Sequence, residues 1–132
     1  IPRVHSFEKR AALGSTTGAQ GMVPDQLLED SALAYCADQG LVIIVGCAHA
    51  GICNIISAAR QVCDRERIID IVGGLHLVDA SSEQIEGTAE FLSKCDLQAL
   101  HACHCTGLKA QIRLSRFAPV QEVGAGLVLE YD

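Results

Sequence analysis

The sequence predicts an α/β layered fold with a largely parallel sheet, and three observations carry the prediction. Short apolar strands alternate with helical patterns along most of the chain, which implies βαβ units with right-handed crossovers. Three times an apolar strand runs into a tight turn, a histidine follows and a helix begins: LVIIVGCAHAG (Leu41 to Gly51), IIDIVGGLHLVDASS (Ile68 to Ser82) and LQALHACHCTG (Leu97 to Gly107). Their histidines, His49, His76 and His104, are spaced 27 and 28 residues apart. In an open parallel sheet the carboxyl ends of the strands share one edge, where ligands bind. Three imidazoles far apart in sequence are therefore expected to meet at that edge.

Taken in order, residues 1–30 are expected to form a loop-rich segment, Gly-, Ser- and Thr-rich in its middle (Leu13 to Gly21) and weakly periodic. Residues 31–132 form the α/β unit. Ser31 to Ala37 and Leu41 to Cys47 read as a hairpin across Asp38-Gln39-Gly40, with Gly supplying a positive φ. The second of these strands is apolar throughout, as expected of a strand buried on both faces. Ile52, Ile55, Ile56, Ala59 and Val62 recur at helical spacing and predict a helix over Ile52 to Cys63. Arg67 to Val72 is the next strand. Ser81 with Gln84 three residues on resembles a capping box, and Ile85, Ala89 and Leu92 mark the face of the helix that follows. Leu97 to Ala102 is a third strand. Thr106 is the candidate N-cap of a helix from about Gly107 to Phe117, before Pro119. Val120 to Val123 and Gly126 to Glu130 are expected as two closing strands.

Composition narrows the function. Apolar residues make up 49% of the 132-residue chain, enough for a core, and with three Phe, two Tyr and no Trp that core must be aliphatic. The net charge is −6 and no basic-aromatic run is present, which argues against nucleic acid as a partner. No apolar run approaches the roughly 18 residues that span a bilayer, so no membrane partner is expected. Seven cysteines are an odd number, and Cys36, Cys47, Cys53, Cys63 and Cys95 fall inside apolar strand or helix patterns. A disulfide scaffold places its cysteines in loops of a core-poor chain. The expectation is a reducing cytoplasm and thiols acting as small buried hydrophobes. A chain opening on Ile rather than Met is expected to be a fragment or a processed product.

The chemical residues each carry two readings. His49 lies between Gly46-Cys47-Ala48 and Ala50-Gly51, small residues that leave room for another group, and the helix entered at Gly51 points free amides toward an anion. The alternative is a turn histidine bonded to the backbone. The same placement in three units favours a ligand. His76 follows Gly73-Gly74-Leu75, where paired glycines allow close approach of a ligand, or else a plain loop with Asp79 in the next cap. His104 lies in His101-Ala-Cys103-His104-Cys105-Thr106-Gly107. Strand alternation would point Cys103 and Cys105 away from His104, so a shared metal requires that the strand has ended. His101 reads as a strand or surface residue. Lys109 is either a phosphate or carboxylate contact or a solvated helix lysine. Asp30 is either a carboxylate behind a ligand or a solvated loop charge. CxxC zinc spacing, GxSxG and Walker loops are all absent.

GCAHAGICN, VGGLHLVDAS and HACHCTGLKA, in that order and with these helices between them, resemble the carboxyl-terminal half of a metallo-β-lactamase-fold protein. More narrowly, they resemble the branch of dihydropterin ribofuranosylaminobenzene-phosphate synthase-like hydrolases. The likeness runs from about Asp30 to the end. It implies an αββα sandwich, of which residues 31–132 would be a carboxyl-terminal half-domain. It also implies a site at one edge of the sheets holding one or two divalent metal ions, commonly zinc, with iron or manganese in some branches. The family's first ligands come from an HxHxDH motif, which this sequence does not contain. What carries over is His49 and His104 as metal ligands, with His76 beside them. Gly46-Cys47 stands about where many relatives have Gly-Asp with a bridging carboxylate.

The expectation that follows is the carboxyl-terminal part of a metal-dependent hydrolase. Metal-activated water would attack an ester, phosphoester or related bond of a small-molecule substrate, with the pterin pathway one setting. Metal ligands are expected at His49, His76 and His104, and substrate or anion contacts at Gly51, Thr106 and Lys109. Alone, the chain is expected to be weakly active or inactive. Two rival readings stand beside this one. The first is a binding module whose uncovered sheet face pairs two copies into a homodimer in place of a missing amino-terminal half. The second is a Cys/His metal-binding or redox protein.

Overall fold

Residues 1–30 hold more regular structure than their composition predicts. In the computed structural model, which describes all residues except 10, 11 and 13, β1 (Ser15–Gly18) and β2 (Gly21–Pro24) pair antiparallel as a two-stranded ribbon. Nearly every residue of the ribbon is exposed, so no apolar alternation announced it. Leu13, at the start of the Gly/Ser/Thr-rich stretch, lies outside the described residues. Ser6–Glu8 form one 3₁₀ turn, and Glu8 is buried.

The main sheet follows the expected plan. β3 (Ala32–Ala37) folds antiparallel onto β4 (Gly40–Val45) through the turn at Asp38-Gln39. β4 then pairs parallel with β5 (Ile68–Gly74), and β5 with β6 (Ala99–Cys103), giving the order β3-β4-β5-β6. The crossovers are α1 (Ile52–Cys63) and α2 (Ser82–Leu92), and α3 (Leu108–Leu114) follows β6. The bounds of α1 are those its apolar spacing predicts. It stops where Asp64 turns left-handed (φ 51°) and returns its N–H to the Arg60 carbonyl. Ser81 caps α2 as expected, its hydroxyl oxygen accepting from the Gln84 N–H at 3.1 Å.

Two expectations fail here. Thr106 does not cap α3. Gly107 occupies that position, and the Thr106 hydroxyl bonds elsewhere. The two closing strands do not form. Leu100 donates to the Pro119 carbonyl and accepts from the Gln121 N–H, which yields one parallel bridge between Leu100 and Val120 and no ladder. β6 is already paired to β5 on its other side, and the tail turns away at Gly124, whose carbonyl accepts from the Leu127 N–H.

The helices cover one face of the sheet. Leu41, Ile43, Ile68, Ile71 and Leu100 point into a cluster with Ile52, Ile55, Ile56, Ile85, Leu92 and Leu114. Burial of each such side chain contributes roughly 1.5–3 kcal/mol before entropy is counted. The opposite face carries a small cluster, Ala37, Val42 and Ile69 with Val72 and Tyr131. Beside it Leu33, Tyr35 and Ile44 are 69%, 47% and 41% exposed. A sheet with helices on one face and apolar residues bare on the other is one half of an αββα arrangement. Of the cysteines expected to be buried, Cys53 and Cys95 are, whereas Cys36 is exposed and Cys47 and Cys63 are half-buried. No disulfide joins any two of the seven. Among the described residues no helix is long and apolar enough to cross a membrane.

Candidate metal centre at the sheet edge

β4, β5 and β6 run parallel, so their carboxyl ends deliver three turns to one edge, as the sequence predicts. The turns interlock through the backbone: the Gly74 N–H donates to the Gly46 carbonyl at 3.0 Å, and the Val78 N–H to the Cys105 carbonyl at 3.0 Å. Two glycines make the approach possible. A Cβ on Gly73 would collide with the Val45 carbonyl, and Gly73 holds φ 131°. A Cβ on Gly74 would lie 2.6 Å from Cys105 Sγ and 2.7 Å from the Gly46 carbonyl oxygen, filling the cradle between the turns. Ala48, His76 and His104 adopt φ of 52°, 52° and 50°. Left-handed non-glycine residues carry strain, and such residues cluster where function holds them.

The three predicted histidines arrive at this edge in two groups. His49 and His76 form one, their rings edge to face with centroids 4.7 Å apart. Asp30 stands behind His49. One carboxylate oxygen accepts from the Ala50 N–H at 2.7 Å, and the other lies 4.0 Å from His49 Nδ1. Asp30 is therefore a carboxylate that positions the His49 turn and not a solvated loop charge. His104 belongs to the second group, with Cys47 and Cys105. One donor atom from each of these three lies within 4.8 Å of the others. The two groups touch through Cys105, whose sulfur accepts from the His76 N–H at 3.2 Å.

Cys105 corrects the alternation argument. β6 ends at Cys103, and His104–Thr106 form a 3₁₀ turn with His104 left-handed. The strand period no longer applies beyond Cys103, so Cys105 swings to the same side as His104. In sequence Cys47 follows an apolar strand and reads as a buried hydrophobe, although Gly46-Cys47 also stands about where many relatives have Gly-Asp. The signal that identifies both thiols is their place, each just after a strand end.

The predicted anion contacts fare differently. The amides at the entry of α1 near Gly51 are already satisfied: Glu8 Oε1 accepts from the Cys53 N–H and Oε2 from the Asn54 N–H, both at 2.9 Å. A Cβ on Gly51 would strike that carboxylate. Burial raises the Glu8 carboxyl above its ordinary value of 4.5 although both amides oppose the shift. The protein's own carboxyl group thus occupies the place where a substrate anion was expected. Thr106 is fully buried; its hydroxyl donates to the Cys103 carbonyl at 2.8 Å and accepts from the Leu75 N–H at 3.1 Å. It ties two turns together and presents nothing to a substrate. Lys109 is exposed on α3, in a shallow pocket with Ser82 and Arg116. His101, expected in a strand or at the surface, lies in β6 and is buried against Asp70.

The donor set suits a divalent metal. Two sulfurs and an imidazole are ligands for zinc and its neighbours, and the Gly74 cradle keeps the space between the turns free of side chain.

No known family profile matches the chain. Over 107 residues it is 32% identical to 7,8-dihydropterin-6-methyl-4-(beta-D-ribofuranosyl)-aminobenzene-5'-phosphate synthase of Methanocaldococcus jannaschii, covering 80% of this chain and 36% of that protein. An uncharacterised protein of the same organism is 31% identical over 116 residues, covering 88% and 41%. A crystallised metal-dependent hydrolase of the β-lactamase superfamily superimposes with a TM-score of 0.82 at 28% identity, over 96% of this chain and 51% of that one. The chain thus spans between a third and a half of these relatives. Its parallel sheet, one helix layer and histidine-bearing edge, together with these likenesses, give the class: the chain resembles the carboxyl-terminal half of a protein of the metallo-β-lactamase superfamily. Within that superfamily it is similar to the dihydropterin ribofuranosylaminobenzene-phosphate synthase branch.

Proposed function

We propose that this chain forms one wall of the active site of a metal-dependent hydrolase. The expected substrate is a small molecule carrying an ester, phosphoester or related bond, of the phosphorylated pterin kind named for its relative. The carrying observation is the convergence of three strand ends on one edge, with His49 against His76 and His104 against two thiols. A bound divalent ion, zinc first and iron or manganese as alternatives, supplies an activated water and polarises the scissile group. The protein's own part is to hold the ligands in place. Asp30 fixes the His49 turn, the Gly73-Gly74 pair admits the neighbouring turn, and Thr106 locks the β5 and β6 ends together. The free thiols support a reducing, cytoplasmic setting. Because the HxHxDH motif is absent, the chain alone is expected to turn over substrate weakly or not at all. The test is zinc- or manganese-dependent hydrolysis of a phosphoester by this chain, set against a relative of full length. Full turnover by the chain alone would overturn the proposed division of the site.

A second reading is favoured by the bare sheet face at Leu33, Tyr35 and Ile44. There the chain acts as a binding or assembly module that pairs with a second copy.

A further inference from the structure

We propose that Cys36 and Cys63 are a redox-active thiol pair that closes to a disulfide by exchange with a low-molecular-weight disulfide such as oxidised glutathione. The new bond staples the end of α1 to the sheet edge at β3. The inference is independent of the hydrolase reading.

Four observations bring the two thiols together. First, Cys36 in β3 stands directly opposite Leu41 in β4, and Leu41 is fully buried in the cluster beneath the helices. Directly opposed residues of an antiparallel pair share a face, so Cys36 points to the α1 side of the sheet. Second, Cys63 is the last residue of α1 and packs against that same cluster. Third, the chain leaving α1 is bonded to both ends of the β3–β4 turn. The Arg65 guanidinium donates to the Ala37 carbonyl and the Leu41 N–H donates to the Arg67 carbonyl, both at 2.8 Å. The neighbours of the two thiols are therefore fixed to each other. Fourth, the Cys63 thiol is hydrogen-bonded to Cys36 itself.

The two sulfurs differ in access and in acidity. Cys36 is exposed and Cys63 is half-buried. Burial raises the Cys63 thiol above its ordinary value of 9.0, and its bond to Cys36 raises it further, against the opposing charge of Arg65. The exposed sulfur therefore meets the oxidant. The Cys36 thiolate attacks one sulfur of glutathione disulfide, the S–S bond of the oxidant breaks, and one glutathione leaves as a thiolate that takes up the proton lost by Cys36. Cys63 then attacks the Cys36 sulfur of the mixed disulfide, and its proton passes to the second departing glutathione. Two protein thiols are oxidised, one small disulfide is reduced to two thiols, and the exchange is reversible. Closing the sulfurs to a bond of about 2.05 Å needs only local motion. The last residue of α1 can supply it, because helix ends fray and this helix stops at the left-handed Asp64.

The experiment is incubation of the reduced, unaltered chain with glutathione disulfide, then digestion with trypsin and chymotrypsin and mass spectrometry without reductant. The expected product is the peptide Cys36 to Leu41 joined to the peptide Gln61 to Arg65. The oxidised protein should run as a single chain on a non-reducing denaturing gel. Its unfolding midpoint should lie about 5–15 °C above that of the reduced chain, because the cross-link constrains the unfolded state. Dithiothreitol should reverse both changes. Cys36→Ser and Cys63→Ser should each abolish the linked peptide and the rise in midpoint. Cys36 is exposed, so its serine variant keeps the fold, and the peptide map of the unaltered chain decides if Cys63→Ser does not fold. Glutathione retained on Cys36 as a mixed disulfide, a linkage only between other cysteines, a linkage between two chains, or the linked peptide without a higher midpoint each overturns the inference.

Discussion

His101 Nδ1 lies 3.0 Å from one carboxylate oxygen of Asp70 and 2.8 Å from the other, both residues buried on the sheet face away from the helices. The carboxylate also accepts from the Tyr131 hydroxyl at 2.6 Å and from the Ile71 N–H at 2.6 Å. Desolvation and the neighbouring Asp70 push the Tyr131 phenol up from its ordinary value. This network pins the carboxyl-terminal tail to the sheet, where the sequence led us to expect two strands.

Removing the acceptor should therefore cost more than removing a donor. Asp70→Ala leaves a buried imidazole and a phenol without their acceptor and should destabilise by about 2–3 kcal/mol. Tyr131→Phe removes one hydrogen bond, with an expected loss of about 1 kcal/mol. Urea unfolding of the two variants checks the order. Equal losses would mean that the network adds nothing beyond packing.

Glu8 gives a pH dependence of unusual sign. Its carboxyl is raised by burial, so the folded state binds its proton more readily than the unfolded state. That contribution is fully present below the ordinary value of 4.5 and is lost as pH rises through the higher folded value. Unfolding free energy relative to Glu8→Gln should accordingly fall as pH rises from about 4.5, and the variant's own profile should lack that slope. Glu8→Ala, which leaves the Cys53 and Asn54 amides without acceptors, should lose about 1–3 kcal/mol. Chemical denaturation at a series of pH values measures both effects.

The parts legible in sequence are those governed by local rules. The α1 boundaries follow from Ile52, Ile55 and Ile56 on one face, and the Ser81–Gln84 cap is a three-residue contact. The shared strand-end edge follows from topology alone. What escaped depends on distant partners or on a change of period. The Glu8 cap joins residues 45 and 46 positions apart in sequence, and the His101–Asp70 contact spans 31. Cys105 escaped because the strand period ends one residue before His104. β1 and β2 lie almost wholly at the surface, where burial leaves no pattern to read.

Gly74 and Gly46 should respond in opposite ways to one added methyl group. Gly74→Ala places a Cβ 2.6 Å from Cys105 Sγ and 2.7 Å from the Gly46 carbonyl oxygen, overpacking that should cost about 1–3 kcal/mol. It should also move Cys105, which the added methyl group would press directly. A Cβ at Gly46 meets nothing within 4 Å, and Gly46→Ala should stay within about 0.5 kcal/mol of the parent. Thermal unfolding compares the two. Equal tolerance would show that the cradle at the strand ends is not tight.

The bare sheet face makes the last prediction. Leu33 pairs with Ile44 across β3 and β4, and Tyr35 with Val42, so Leu33, Tyr35 and Ile44 form one exposed apolar patch. Contiguous apolar patches on a sheet face recruit protein surface. If a second copy covers this one, the chain sediments as a dimer, and Leu33→Lys with Ile44→Lys gives a monomer. Substitutions at exposed positions of this kind usually change stability by no more than about 0.5 kcal/mol, so loss of the dimer with an unchanged unfolding midpoint assigns the patch to assembly. Sedimentation of the unaltered chain as a monomer at all concentrations would remove the second copy as the occupant.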